Sequence, residues 1–448
     1  MWERLRSVWA APDLRNKILF TMGILLIFRV LAHITVPLTA AEQQNLVNLF
    51  GSSSSSNQGL GQLLGLLDVF SGGSLKTFSI VALGVYPYIT ATIVMQLLQP
   101  IIPALQKLSM EGEAGQLRFS QITRLITVPL AFLQALGQSA IYVRVGVLSS
   151  TTFNLFGPNW LETLSILVAL TAGTMVLVWL GELITEKGIG NGISLIIFGG
   201  IVAGLAGTVQ SAYLSATSTT GSGGGVISIA TIVIIGLIIT VGTVYIYQGQ
   251  RRVPVQYPTK RMVGRGMLVG SAQTTYIPMM VNNAGMIPLI FAQSMLIFPA
   301  VLAQYLQSSP VKWLASASQW VGTYLANPSL WYYWVIFALL CFLFTYFYAY
   351  VVWQQQNIPE TLQKQGAFIP GYRPGEPTTR YLTTILNRIT LGGALFLGIA
   401  AFLPYFTQVG SNQLVSAAAI LIAVGVVLDT VRQLESQMVM RNYSGFLA

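Results

Sequence analysis

Residues 225–247 read GVISIATIVIIGLIITVGTVYIY, 23 residues without one charged side chain. A run of about 20 apolar residues is what a helix needs to cross the hydrocarbon of a bilayer. Nine more such runs can be placed, at 17–37, 75–98, 122–143, 163–184, 190–212, 281–304, 331–353, 383–405 and 413–431. Lipid cannot satisfy an open backbone, so each run is expected as a helix. Only 8% of the 448 residues are charged, against about 25% in soluble domains. The reading is an all-α polytopic membrane protein with ten transmembrane helices.

Nineteen of the 23 Lys and Arg residues fall on one side of these spans. Lys76, Arg144 and Lys312 fall on the other, and Arg29 lies within the first span. Basic loops mark the cytoplasmic side. Both termini are therefore expected in the cytoplasm, which an even number of spans also requires. Before the first span, Trp2, Leu5, Val8 and Trp9 share one helical face. Residues 2–10 are expected as a short helix on the membrane surface. The start of the chain is too long, and wrongly flanked, for a cleaved signal.

The second span carries GVYPYITA at 84–91 and the seventh GMIPLIFA at 285–292. Gly84, Pro87, Ile89 and Ala91 match Gly285, Pro288, Ile290 and Ala292 in offset. Five spans separate the copies, so they run in opposite directions through the membrane. That is the pattern of two inverted five-helix halves, with a pathway expected where they meet. The halves are read as 1–212 and 213–448, joined by the Ser/Gly-rich SATSTTGSGGG at 215–225. Proline interrupts a helix, so Pro87 and Pro288 are expected to bend two helices facing each other across the pathway.

Acidic residues avoid the span centres, with Glu162, Glu182 and Asp429 near span ends. Ion-coupled carriers usually bury such groups in mid-membrane, which disfavours an inverted-repeat secondary transporter of a small solute, the competing reading. No nucleophile–base pair falls within the spans, so no enzyme is expected. No His, Cys and carboxylate cluster has metal-ligand spacing, and the single Cys341 allows no internal disulfide. No cofactor is expected. The two long basic-side loops do stand out. Residues 248–280 are free of acid and alternate apolar residues in RRVPVQY, as a hairpin would. Residues 354–382 are stiffened by Pro359, Pro370, Pro374 and Pro377, with Gly366, Gly371 and Gly375 at turns. Both look like docking surfaces for an anionic partner.

GAFIPGYRPGEPTTRYL in the second of these loops resembles the signature of the SecY family, the pore subunits of bacterial-type Sec translocases. FSGGSLKTFSIVALGVYPYITA, GELITEKGIGNGISLIIFGGIVAG, AGMIPLIFAQS, EGEAGQLRFSQITR and QLESQMVMRNYSGF extend the resemblance over nearly the whole chain. It implies a clamshell of two inverted halves around an hourglass pore in the cell inner membrane. Unfolded polypeptides would cross it, and hydrophobic segments would leave sideways into lipid. The positions matching the family's apolar pore ring are Val85, Ile89, Ile193, Ile197, Ile290 and Ile422. The matching plug is 62–75, with Leu63, Leu64, Leu67, Phe70, Gly72 and Gly73. Thr92, Gln96 and Asn282 match the lateral gate. Arg251, Arg252, Lys260, Arg261, Arg265 and Arg373 match the docking loops. Implied partners are SecE and SecG, the SecA ATPase, the ribosome, nascent or secretory polypeptides with signal sequences, and the bilayer. The chain departs from the family pattern at QLVSAAAILIAVG, entering the last span, and at Met280.

Overall fold

The computed structural model describes residues 11–39, 42–46, 68, 71–144, 146–148, 160–218, 224–263, 267–282, 284–306, 312–324, 330–356, 358–407 and 417–444. Among these the helices are α1 (Pro12–Leu31), α2 (Tyr86–Leu98), α3 (Pro103–Met110), α4 (Glu113–Arg144), α5 (Trp160–Lys187), α6 (Gly192–Ser218) and α7 (Gly224–Gln248). After a hairpin of β1 (Gln250–Val263) and β2 (Met267–Met280) come α8 (Ile287–Leu306), α9 (Lys312–Tyr324), α10 (Trp331–Gln356), α11 (Ile358–Lys364), α12 (Glu376–Thr407) and α13 (Ala417–Ser444). The ten expected spans correspond in order to α1, α2, α4–α8, α10, α12 and α13. Among the described residues, four helices are long and apolar enough to cross a membrane, and three shorter apolar helices accompany them. Exposed Leu26, Leu125, Ile238 and Ile399 give the bundle an apolar outer wall, as lipid contact requires.

Several boundaries differ from expectation. α4, α12 and α13, the third, ninth and tenth spans, run past their apolar windows, because their polar ends continue helically beyond the hydrocarbon. Residues 215–218 of the expected linker belong to α6, and Gly224 already opens α7. The surface helix expected at 2–10 lies outside the described residues.

The largest correction concerns the second span, where only 86–98 is helical. Thirteen residues reach about 20 Å, short of a crossing. The preceding 71–85 is a chain of turns. Irregular backbone at this depth survives only where protein satisfies it. Here Val36 donates its N–H to the Phe78 carbonyl, and Ile80 donates to Ile34. Gly173 of α5 lets the Ile80 backbone come against the helix without a side chain between them. Hydropathy cannot distinguish such a buried turn from a helix, since both are apolar.

The central core draws on α1, α2, α5, α6, α8, α10, α12 and α13. A second core joins the 75–83 turns to α4, α5 and the far end of α8. There Phe78 meets Tyr142 edge-on at 4.5 Å. A third core lies under the two basic loops and packs Val253, Val255 and Met279 against Trp353, Leu362, Ile369 and Leu382.

Candidate functional site: a gate between two matched helix starts

Pro87 and Pro288 do not bend their helices. Each lies in the first turn, one residue after the helix begins. Its missing N–H costs nothing there, and its fixed φ suits the turn. Three residues earlier, Gly84 and Gly285 have φ of +60° and +65°, a left-handed backbone that glycine adopts without strain. In each copy the matched isoleucine closes the first helical hydrogen bonds. Ile89 donates to the Val85 carbonyl, and Ile290 to that of Met286. Ala91 and Ala292 are both fully buried. The repeated element is thus a device for starting a helix inside the bundle.

The helices started this way, α2 and α8, pack against each other, and α4 packs against both. Gly137 of α4 makes one of these contacts close, since a Cβ there would sit 2.6 Å from Val301 Cγ1. Gln134 Nε2 of α4 donates to Thr90 Oγ1 of α2 at 3.4 Å. Buried side-chain polar atoms without a hydrogen-bond partner occur on all three helices among the described residues. They include Tyr86 Oη and Gln96 Oε1 on α2, Ser139 Oγ on α4 and Ser294 Oγ on α8, with Ser79 Oγ in the turns before α2. An unmade buried hydrogen bond costs about 1–3 kcal/mol, so each of these atoms weakens the packing around it.

Five of the six expected ring positions share the central cluster, and the sixth lies at its edge. Val85, Ile89, Ile197, Ile290 and Ile422 are buried in the central core, at 1–7% exposure. Ile193 packs at its margin, its Cδ1 filling the space left by Gly181 on α5. The expected gate polars do not bond to one another across the seam. Thr92 donates to Tyr88 within its own helix at 2.9 Å. Asn282 Nδ2 donates to the Gly285 carbonyl at 2.9 Å and so ties down the turn that starts α8. The polar residues of α4 and Ser294 were missed by sequence reasoning. Their signal was available: LQALGQSA puts two glutamines in an otherwise apolar window.

Of the expected plug, Leu63, Leu64, Leu67 and Phe70 lie outside the described residues. Gly72 and Gly73, where a hinge was expected, take φ of +74° and +81°. Gly72 presses on Gly200 of α6, where an added Cβ would sit 2.8 Å from the Gly200 Cα. Arg29, the lone charge expected deep in a span, donates to the Gly72 carbonyl at 2.5 Å. Asp68 binds the turn through the Gly73 and Lys76 amides and pairs with Lys76 Nζ at 3.3 Å. Burial pushes the Asp68 carboxyl above its ordinary range, although Lys76 opposes the shift.

The two basic loops form one body. Gln256 of β1 exchanges both backbone hydrogen bonds with Phe368, at 2.9 and 3.0 Å. The expected hairpin is present and pairs antiparallel from Gln250–Met280 to Val263–Met267. Alternation buries Val253 and Val255 and leaves Arg252 and Pro254 exposed, as strand geometry dictates, while Arg251 is exposed at the strand's start. Lys260 and Arg261 lie on β1, and Arg265 falls outside the described residues. Gly366, Gly371 and Gly375 all take positive φ. Between the last two, Arg373 is exposed, and Thr378 Oγ1 holds its carbonyl at 2.8 Å.

A family model described as SecY matches residues 79–431. The chain belongs to the SecY family. A SecY protein translocase subunit of Mycobacterium bovis is 43% identical over 97% of both chains. One from Streptomyces scabiei is 41% identical over the full length of both. Among solved structures, a protein-conducting channel covers 94% of this chain and 92% of its own, with a TM-score of 0.62 at 16% identity. A SecY structure described for a plug domain that stabilises its closed state gives 0.61 at 17% identity, over the same shares. The SecY fold of two inverted five-helix halves is therefore the fold of this chain.

Proposed function

We propose that this chain is the central channel subunit of a Sec translocon, passing unfolded polypeptides across the cell inner membrane and releasing hydrophobic segments laterally into lipid. The observation that supports the reading is the packing of α2 on α8, each carrying buried polar atoms without a partner, beside the central apolar cluster. A signal helix entering between them offers partners to Gln96 and Ser294 as it separates the helices. The buried ring isoleucines then move apart around the chain. Branched aliphatic side chains bind no particular sequence, and an empty apolar constriction opposes ions by dewetting. The burial of five of these side chains, at 1–7% exposure, supports their reading as the channel's seal.

The halves divide near residue 212, with both termini in the cytoplasm. Residues 62–75 act as a plug hinged at Gly72 and Gly73. Arg251, Arg252, Lys260, Arg261, Arg265 and Arg373 present a docking platform to the SecA ATPase or the ribosome, which supplies the energy. SecE clamps the halves, and SecG accompanies them. The small-solute carrier finds no support, since the relatives matched along the full chain are translocase subunits. The test is translocation of a secretory polypeptide with a signal sequence into vesicles containing the purified complex, driven by SecA and ATP. Protease-protected product is expected. Its absence, alongside saturable small-solute uptake, would favour the carrier.

A further inference from the structure

Helix α9 sits between two apolar helices at the end of the molecule opposite the basic loops. Five residues separate it from α8 and six from α10. Such short tethers hold it at the level where both spans leave the hydrocarbon. At about 100° per residue, its side chains sort into three stripes. Leu314, Ala315, Ser318, Val321 and Gly322 form one, and all are buried or half-buried. Lys312, Ser316, Gln319 and Thr323 form a second, exposed and polar. Trp313, Ala317, Trp320 and Tyr324 form the third, within an arc of about 60°, and it is exposed as well.

This third stripe leaves Trp313 72% and Trp320 59% exposed. It continues into the span that follows. Trp320 meets Tyr324 at 5.3 Å, Tyr324 meets Tyr332 at 6.0 Å, and Tyr332 meets Trp331 at 5.0 Å. The row thus runs unbroken onto the start of α10, where Val335 and Leu339 continue an exposed apolar surface. Rings with an apolar body and one polar atom are suited to the boundary between headgroups and acyl chains. A soluble partner would leave unexplained why the aromatic and polar side chains are segregated into separate stripes with mid-lines about 100° apart.

We propose that α9 is a membrane-interface anchor, with its Trp313–Ala317–Trp320–Tyr324 edge set into the headgroup–acyl boundary of the leaflet opposite the basic loops. Lys312, Ser316, Gln319 and Thr323 then face water. Because α9 also packs on α8, it fixes the depth of that gate helix at its far end. The inference rests on the membrane-spanning fold and is independent of what the channel conducts.

The test is site-directed spin labelling of the full-length chain, with its co-purifying subunits, in phosphatidylethanolamine/phosphatidylglycerol vesicles. Cys341 is the one cysteine and is buried, so Cys341→Ala gives a clean background. Labels at Ala317 and Gln319 leave every aromatic in place. Oxygen partitions into lipid, and a nickel chelate stays in water. The expected result is an oxygen-to-nickel accessibility ratio several-fold higher at Ala317 than at Gln319, repeated at Trp313 and Trp320 against Ser316 and Thr323. Ile399, exposed on α12, serves as the lipid control. Equal nickel access at Ala317 and Gln319 would put the helix in water and overturn the proposal. Exclusion of both reagents from Ala317 would show a protein subunit covering the stripe, and would overturn it equally. Loss of oxygen access at Ile399 would instead implicate the membrane reading itself.

Discussion

Gly84 and Gly285, five spans apart in the chain, hold the same left-handed backbone, with φ of +60° and +65°, each three residues before a first-turn proline. No other heavy atom stands nearer than 3.6 Å to a Cβ built at either position, so the requirement is conformational and not steric. An alanine in this region costs about 1–2 kcal/mol. Gly84→Ala and Gly285→Ala should each lower the thermal stability of the purified chain by that order, with Asn losing less than Ala. Equal stability for Ala and Gly at both sites would show that the turns relax freely.

Gly72 is constrained twice, by its φ of +74° and by Gly200 at 2.8 Å from any added Cβ. Gly72→Ala cannot be accommodated without moving the hinge off α6. The expected outcome is raised resting ion conductance in a planar bilayer, with Gly73→Ala milder because nothing stands within 4 Å of its Cβ. Arg29→Ala should act in the same direction, since it removes the donor to the Gly72 carbonyl. Wild-type tightness in both Gly72→Ala and Arg29→Ala would separate this hinge from the seal.

Asp68 gives a pH dependence with a definite sign. Burial raises its carboxyl above the ordinary 3.8, so the folded hinge binds a proton more readily than the unfolded chain. Its contribution is fullest below that ordinary value and is lost as pH rises through the raised one. Asp68→Asn mimics the protonated form and still accepts the Lys76 amide. Its stability relative to wild type should therefore grow from acid toward neutral pH. A relative loss over the same range would mean that the Lys76 pair outweighs burial.

Arg373 is exposed on a turn fixed by Gly371, Gly375 and Thr378. Arg373→Glu removes no buried contact, so thermal stability should stay within about 0.5 kcal/mol of wild type. SecA-driven secretion into vesicles should fall severely. Wild-type rates would remove Arg373 from the docking surface.

Much of this organisation was legible because membrane physics writes it in long stretches. Ten apolar windows and the charge bias carry the span order, and the repeated glycine–proline element carries the symmetry. What the element does was misread: a proline inside an apolar window looks the same whether it bends a helix or starts one. Only the hydrogen bonds of Val36 and Ile80 to partners across the chain reveal that 71–85 is not helical. The hairpin was visible in the alternation of RRVPVQY, whereas its bond to Phe368 depends on a partner more than a hundred positions away. The gate seam was half seen. Thr92, Gln96 and Asn282 were singled out, but the glutamines of α4 were absorbed into an apolar count. Helix α9 escaped because 13 residues of mixed polarity carry no span signal.

The most direct test of the gate uses cysteine pairs across α2 and α8 in the Cys341→Ala background, scanning Thr92 and Gln96 against Asn282 and its neighbours. The measurement is translocation of a secretory polypeptide before oxidation, after oxidation and after reduction. If α2 and α8 must part for a chain to pass, at least one pair crosslinks in the resting complex, transport stops while the bond is closed, and reduction restores it. Full transport through a quantitatively crosslinked α2–α8 pair would contradict the account.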